Sequence, residues 1–139
     1  MRQPGELTDR ATLRALHAEQ YDLSFDTANE IMTHHNLPPV RDLIRLEGYF
    51  TNTNYEATPE TGDPIIIKIE HRPAWGSLET EKSVNNALKR ATDLPVADLL
   101  LLDASCTIIP HSYLITEKLP GERANMCFEQ ADHETRLEI

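Results

Sequence analysis

The spacing of apolar and polar positions changes period twice along the chain. Between residues 7 and 19, Leu7, Ala11, Leu13, Leu16 and Ala18 fall among charges, which predicts a short surface helix. Ser24-Phe25-Asp26 then offers an N-cap with an acid in the first turn, and Ala28, Ile31 and Met32 predict a second helix running towards Asn36. Pro38-Pro39 stops that helix, because proline removes a backbone donor and disfavours helix in the residue before it. From Val40 the period is that of strands. Residues 40–46, 54–58 and 64–70 predict an antiparallel meander with turns at Gly48 and Gly62. Residues 78–91 return to helical spacing, 97–103 form a fourth strand apolar enough to be covered on both faces, and 111–117 form a fifth. Leu119-Pro120-Gly121 breaks the pattern, and residues 124–139 are weakly helical. The fold class expected is therefore α+β, a five-stranded antiparallel sheet with one packed helix, preceded by two short helices.

One charge interrupts this pattern in an informative place. Pro64-Ile65-Ile66-Ile67-Lys68-Ile69-Glu70 is a β-branched run with a lysine inside it. A desolvated ammonium needs an anion, since leaving it unpaired costs several kcal/mol or shifts its pKa. In the helix that follows, Glu81 shares a stripe with Val84, Leu88 and Ala91, whereas Glu79 falls near the opposite face with Lys82 and Asn86. A carboxylate on an apolar stripe also needs a partner, so Lys68 and Glu81 are expected to meet.

Composition narrows the remaining possibilities. The chain has 139 residues, enough for one domain with a real core, and 40% hydrophobic with 26% charged residues is the balance of a globular protein. A formal net charge of −10 argues against sequence-independent binding to nucleic acid or to an anionic membrane, both of which need excess Lys and Arg. No apolar run approaches the roughly 20 residues that span a bilayer, and the first residues have no signal-peptide core, so the expected compartment is the cytoplasm. Cys106 and Cys127 lie outside any metal-binding spacing and read as free thiols. His34 and His35 are adjacent, so on a helix they would point about 100° apart and not share a metal easily; like His17, His71, His111 and His133 they read as surface or boundary residues, and no metal ligand is expected.

The order of elements resembles one family. Gly48 with Asn52-Thr53-Asn54-Tyr55, Ile66-Ile67-Lys68-Ile69, Glu81 with Val84 and Leu88, Leu94-Pro95-Val96 before a strand, and residues 113 to 121 ending in Leu-Pro-Gly are similar to the small lobe of the aminoglycoside phosphotransferase and choline kinase family, a branch of the protein-kinase-like fold. The resemblance covers residues 40–121. It implies three segments: a helical extension at 1–39, a nucleotide-binding small lobe at 40–121, and a helical tail at 122–139. It also implies roles. Gly48, Asn52 and Thr53 would fold over nucleotide phosphates, Lys68 would bond the α- and β-phosphates with Glu81 holding its ammonium, Thr116 would lie behind the adenine, and the main chain of Glu117 and Leu119 would read its edge. The cofactor implied is ATP, with Mg²⁺ held mainly by a large lobe.

The departure from the family lies after Gly121, where no HxD followed by Asn and no DFG counterpart occurs, so no catalytic residue is expected in this chain. The chain is read as ending inside the first helix that leads to the large lobe. Two functional expectations follow: the ATP-binding lobe of a small-molecule kinase, transferring phosphoryl to a substrate hydroxyl only when completed by a large lobe, or a non-catalytic module that associates with itself or a partner through the face left open. An unrelated α+β domain is the third reading. The Lys68 to Glu81 contact separates it from the other two.

Overall fold

The computed structural model describes residues 21–46, 52–70 and 77–120. The expected helix at 7–19, the tail at 124–139, Gly48 and the connector at 71–76 lie outside the described residues. Helix α1 (Phe25–His34) opens on Ser24, whose Oγ accepts from the Thr27 N–H, and closes on His35. Strands β1 (Val40–Leu46), β2 (Asn52–Pro59) and β3 (Ile65–Glu70) form the meander, helix α2 (Leu78–Ala91) follows, and β4 (Leu99–Asp103) and β5 (Tyr113–Glu117) complete one antiparallel sheet in the order β1-β2-β3-β5-β4. The β2–β3 turn uses Gly62 at φ +97°, a left-handed backbone that glycine adopts without a Cβ penalty.

Two expectations are corrected by the sheet order. The fourth strand lies at an edge and is not covered on both faces: Leu100 is 48% exposed where the register shifts between Leu99 and Leu101. The second strand begins at Asn52, two residues earlier than its apolar pattern suggests, so Asn52 and Thr53 belong to the ladder. Among the described residues no helix is long and apolar enough to cross a membrane.

β3 lies at the centre of the sheet and decides which face is which. Ile65, Ile67 and Ile69 alternate onto one face, where they join Tyr55, Ala57, Tyr113 and Ile115, and α1 covers this layer with Ala28, Ile31 and Met32. Lys68 points to the other face, over which α2 runs. That helix is lightly packed, with Leu78 its one fully buried residue.

The segment before α1 is bound to the sheet through the Tyr55 phenol and the Thr53 hydroxyl. Tyr55 Oη accepts from the Leu23 N–H at 2.8 Å and donates to the Tyr21 carbonyl at 3.0 Å, and desolvation raises its pKa. Replacing Tyr55 with Phe keeps the ring and strands two backbone groups, so stability should fall by about 1–3 kcal/mol. Urea unfolding should show a lower midpoint with an unchanged slope.

A second polar knot closes the same face at the other edge. Asp103 Oδ1 accepts from the Ser105 N–H and hydroxyl at 2.8 and 2.5 Å, and Oδ2 accepts from Tyr113 Oη at 2.9 Å. The Ser105 bonds hold the Asp103 pKa down from the ordinary 3.8 to about 2, while burial pushes that of Tyr113 up. Because the folded value is depressed, this stabilisation is complete above pH 4 and disappears as pH falls towards 2. The unfolding free energy of an Asp103→Asn variant should therefore approach that of the wild type across this interval, a convergence that chemical denaturation at stepped pH would record.

Candidate functional site

The site is built on the face of the sheet that β3 leaves to Lys68. Cross-strand pairing places Asn54 on one side of Lys68 and Leu114 on the other, with Leu102 beyond Leu114. Directly paired residues share a face, so these side chains form one row beneath α2. Ser77 caps that helix by accepting from the Thr80 N–H, and its fourth residue, Glu81, turns towards the sheet.

Lys68 Nζ donates to Glu81 Oε1 in a direct ion pair. The two side chains are 22% and 40% exposed, so solvent screens the pair. An ion pair of that exposure contributes roughly 0.2–1 kcal/mol to stability. Its larger effect is positional, since it holds one ammonium against the sheet with other donor hydrogens still available.

The pair lines a cleft of about 500 Å³ between α2 and the sheet. Val84 and Leu88 form its helix wall, and Leu99 and Leu114 its sheet wall. The segment after α2 closes a third side, held by Asn85 Nδ2 donating to the Ala97 carbonyl at 2.9 Å and by a Lys89–Asp98 ion pair. Thr116 and Leu119 also line the cleft. Glu117 is not part of this lining and faces a separate groove with Asp63, Pro64 and Lys118; its N–H donates to the Asp98 carbonyl and its Oε1 accepts from the Asp98 N–H, each at 2.9 Å. That reciprocal clamp ties β5 to the start of β4.

The structure thus brings Lys68, Glu81, Thr116 and Leu119 to one cleft. Asn52, at the start of β2, alternates onto the same face as Asn54 and Lys68. Thr53 does not: it is fully buried on the opposite face, where its Oγ1 accepts from the Tyr21 N–H at 2.9 Å. The physical reason is the period of two along a strand, which turns Thr53 away from Lys68 once Asn52 has joined the ladder. The residue passed over in its place is Asn54, 3% exposed beside Lys68, whose Oδ1 has no hydrogen-bond partner among the described residues. Its signal was available in the two-residue offset from Asn52.

His34 is exposed and His35 half-buried, the surface and boundary positions expected of them. His35 is the C-cap and leaves the helical screw at φ −100°, ψ 12°, so the His34 and His35 rings stand edge to face with centroids 4.8 Å apart. Nitrogen atoms of both rings and a carboxylate oxygen of Asp103 lie within 4.8 Å of one another.

With this geometry in view, the likeness to known proteins concerns the architecture. A solved structure of a Ralstonia eutropha JMP134 protein, assigned as an aminoglycoside phosphotransferase, matches 73% of this chain at 21% identity with a TM-score of 0.56. The match covers 29% of that protein, so this chain corresponds to less than a third of it. No protein-family model and no curated protein matches the chain. At 21% identity the likeness establishes the fold. The five-stranded antiparallel sheet with its two helices is an α+β fold consistent with a kinase-like small lobe.

A double-mutant cycle on Lys68→Met and Glu81→Gln should give a coupling energy below about 1 kcal/mol that shrinks with added salt. Equilibrium unfolding at low and high ionic strength measures it, and a coupling of several kcal/mol would mean that the pair is a structural keystone.

Proposed function

We propose that this chain is the nucleotide-binding lobe of an ATP-dependent small-molecule kinase of the aminoglycoside phosphotransferase type, acting with a large lobe that supplies the catalytic aspartate and the metal-binding groups. The single observation that carries the reading is the Lys68–Glu81 pair at the rim of an apolar cleft. A volume near 500 Å³ falls inside the roughly 300–1,000 Å³ of small-ligand sites, and apolar walls with few polar groups suit a heteroaromatic ring. In this reading Lys68 donates to the α- and β-phosphate oxygens while Glu81 accepts from the same ammonium and keeps it from turning to solvent.

The remaining roles follow from position. Asn52 approaches the phosphates, Thr116 lies behind the base, and main-chain groups of Glu117 and Leu119 meet the adenine edge. Bound Mg-ATP supplies the γ-phosphoryl group that a substrate hydroxyl takes once the large lobe is present. A second reading, a self-associating or partner-binding module without catalysis, is favoured by a different observation: Val84, Leu94 and Leu119 are 53%, 60% and 42% exposed.

Calorimetric titration with Mg-ATP tests the first reading against the second. Binding should weaken about tenfold to a hundredfold in Lys68→Ala, the loss expected for one charge-assisted hydrogen-bond donor, and less in Glu81→Gln. Equal affinity in wild type and Lys68→Ala overturns the nucleotide reading. Absence of binding together with a dimer on a sizing column favours the module.

A further inference from the structure

On the sheet face opposite the cleft, three side chains from distant parts of the chain converge. His34 and His35 come from the end of α1, and Asp103 from the end of β4, 68 residues beyond His35. His35 Nε2 lies 3.1 Å from Asp103 Oδ2 and 2.7 Å from Tyr113 Oη. Donor atoms bound to one tetrahedral zinc at about 2.0–2.1 Å are roughly 3.3 Å apart, so the His35–Asp103 separation is already that of a chelating pair. The third ligand atom is within 4.8 Å of both, and His34 is exposed, free to close the remaining gap by a side-chain rotation.

Three further features favour a cation at this point. The carboxylate is an anion held in place from behind, since Ser105 occupies Oδ1 with two hydrogen bonds and Tyr113 donates to Oδ2. Metal-bound carboxylates are oriented by such outer hydrogen bonds. The C-terminal end of a helix carries the negative end of its dipole, and both imidazoles stand at that end. Lastly, His34 borders an open groove along α1 that is also lined by Asp26 and Glu30, two carboxylates at successive helical turns leading to it.

We propose that His34, His35 and Asp103 form a binding site for a divalent transition metal of the zinc class, with one coordination position open to water. Two imidazoles and one carboxylate suit Zn²⁺, Co²⁺ or Ni²⁺ rather than Mg²⁺ or Ca²⁺, which take oxygen ligands. His35 binds through the Nε2 lone pair as the tautomer with its proton on Nδ1, giving up its bonds to Asp103 and Tyr113, and Tyr113 keeps its donation to Asp103. The metal cross-links the end of α1 to the sheet edge at β4. It does so without touching the cleft, so the site is independent of the nucleotide reading.

Calorimetry of the full chain with Zn²⁺ alone, and visible absorption with Co²⁺ alone, test the site. The expected result is one equivalent bound, a tetrahedral cobalt spectrum, and a melting temperature raised by Zn²⁺. His34→Ala removes an exposed ligand without disturbing the Asp103–Tyr113–Ser105 knot, and it should weaken Zn²⁺ at least about tenfold and abolish the thermal shift. Asp103→Asn, checked for folding by circular dichroism, should do the same. Absence of stoichiometric binding overturns the proposal, as does Zn²⁺ affinity unchanged in His34→Ala, which would assign the metal to other histidines of the chain.

Discussion

A lysine in the central strand of the sheet is the constraint on which this arrangement depends. β3 needs its isoleucines for the core, and the alternation that buries Ile67 and Ile69 sends Lys68 to the opposite face. An ammonium there needs a carboxylate nearby, and Glu81 supplies it from a helix that otherwise holds the sheet loosely. The ion pair and the light packing belong together. A helix fixed by few apolar contacts leaves space beneath it, and that space is the cleft lined by Leu114, Thr116 and Val84.

The two faces of the sheet obey different physics. On the α1 side, thirteen buried apolar and aromatic side chains among the described residues exclude water, and the few polar atoms admitted are tied down, as with the Tyr55 phenol bridging Tyr21 and Leu23. Such groups have to be satisfied, because a buried donor or acceptor left alone costs about 1–3 kcal/mol. On the α2 side, charge and solvent enter, and Asn54 keeps a buried oxygen without a partner among the described residues. Rigid support on one face and unfinished polar chemistry on the other is the division of labour that the proposed binding role would use. The Asp103–Tyr113–His35 knot shows the rigid face holding polar groups too, where an edge strand, a helix end and a loop have to be brought together.

What could be read from the chain alone was set by local periodicity and by charge. Strand β1 and helix α2 begin and end where their residue patterns do, Ser24 caps the first described helix, and the demand of Lys68 for an anion singled out Glu81 before any geometry was known. The elements depend on neighbours within one or two turns, and the pairing on a charge that interrupts an otherwise apolar strand, whatever the small energy of the screened ion pair itself. The tertiary structure decided the rest. Whether Thr53 or Asn54 accompanies Lys68 depends on where β2 starts, which hydrogen bonding to β3 settles and propensity does not. The exposure of β4 depends on the sheet order, a long-range choice in which β5 inserts beside β3 and leaves β4 at the edge. The meeting of His34 and His35 with Asp103 required both a helix end and a strand end, and no spacing along the chain relates them.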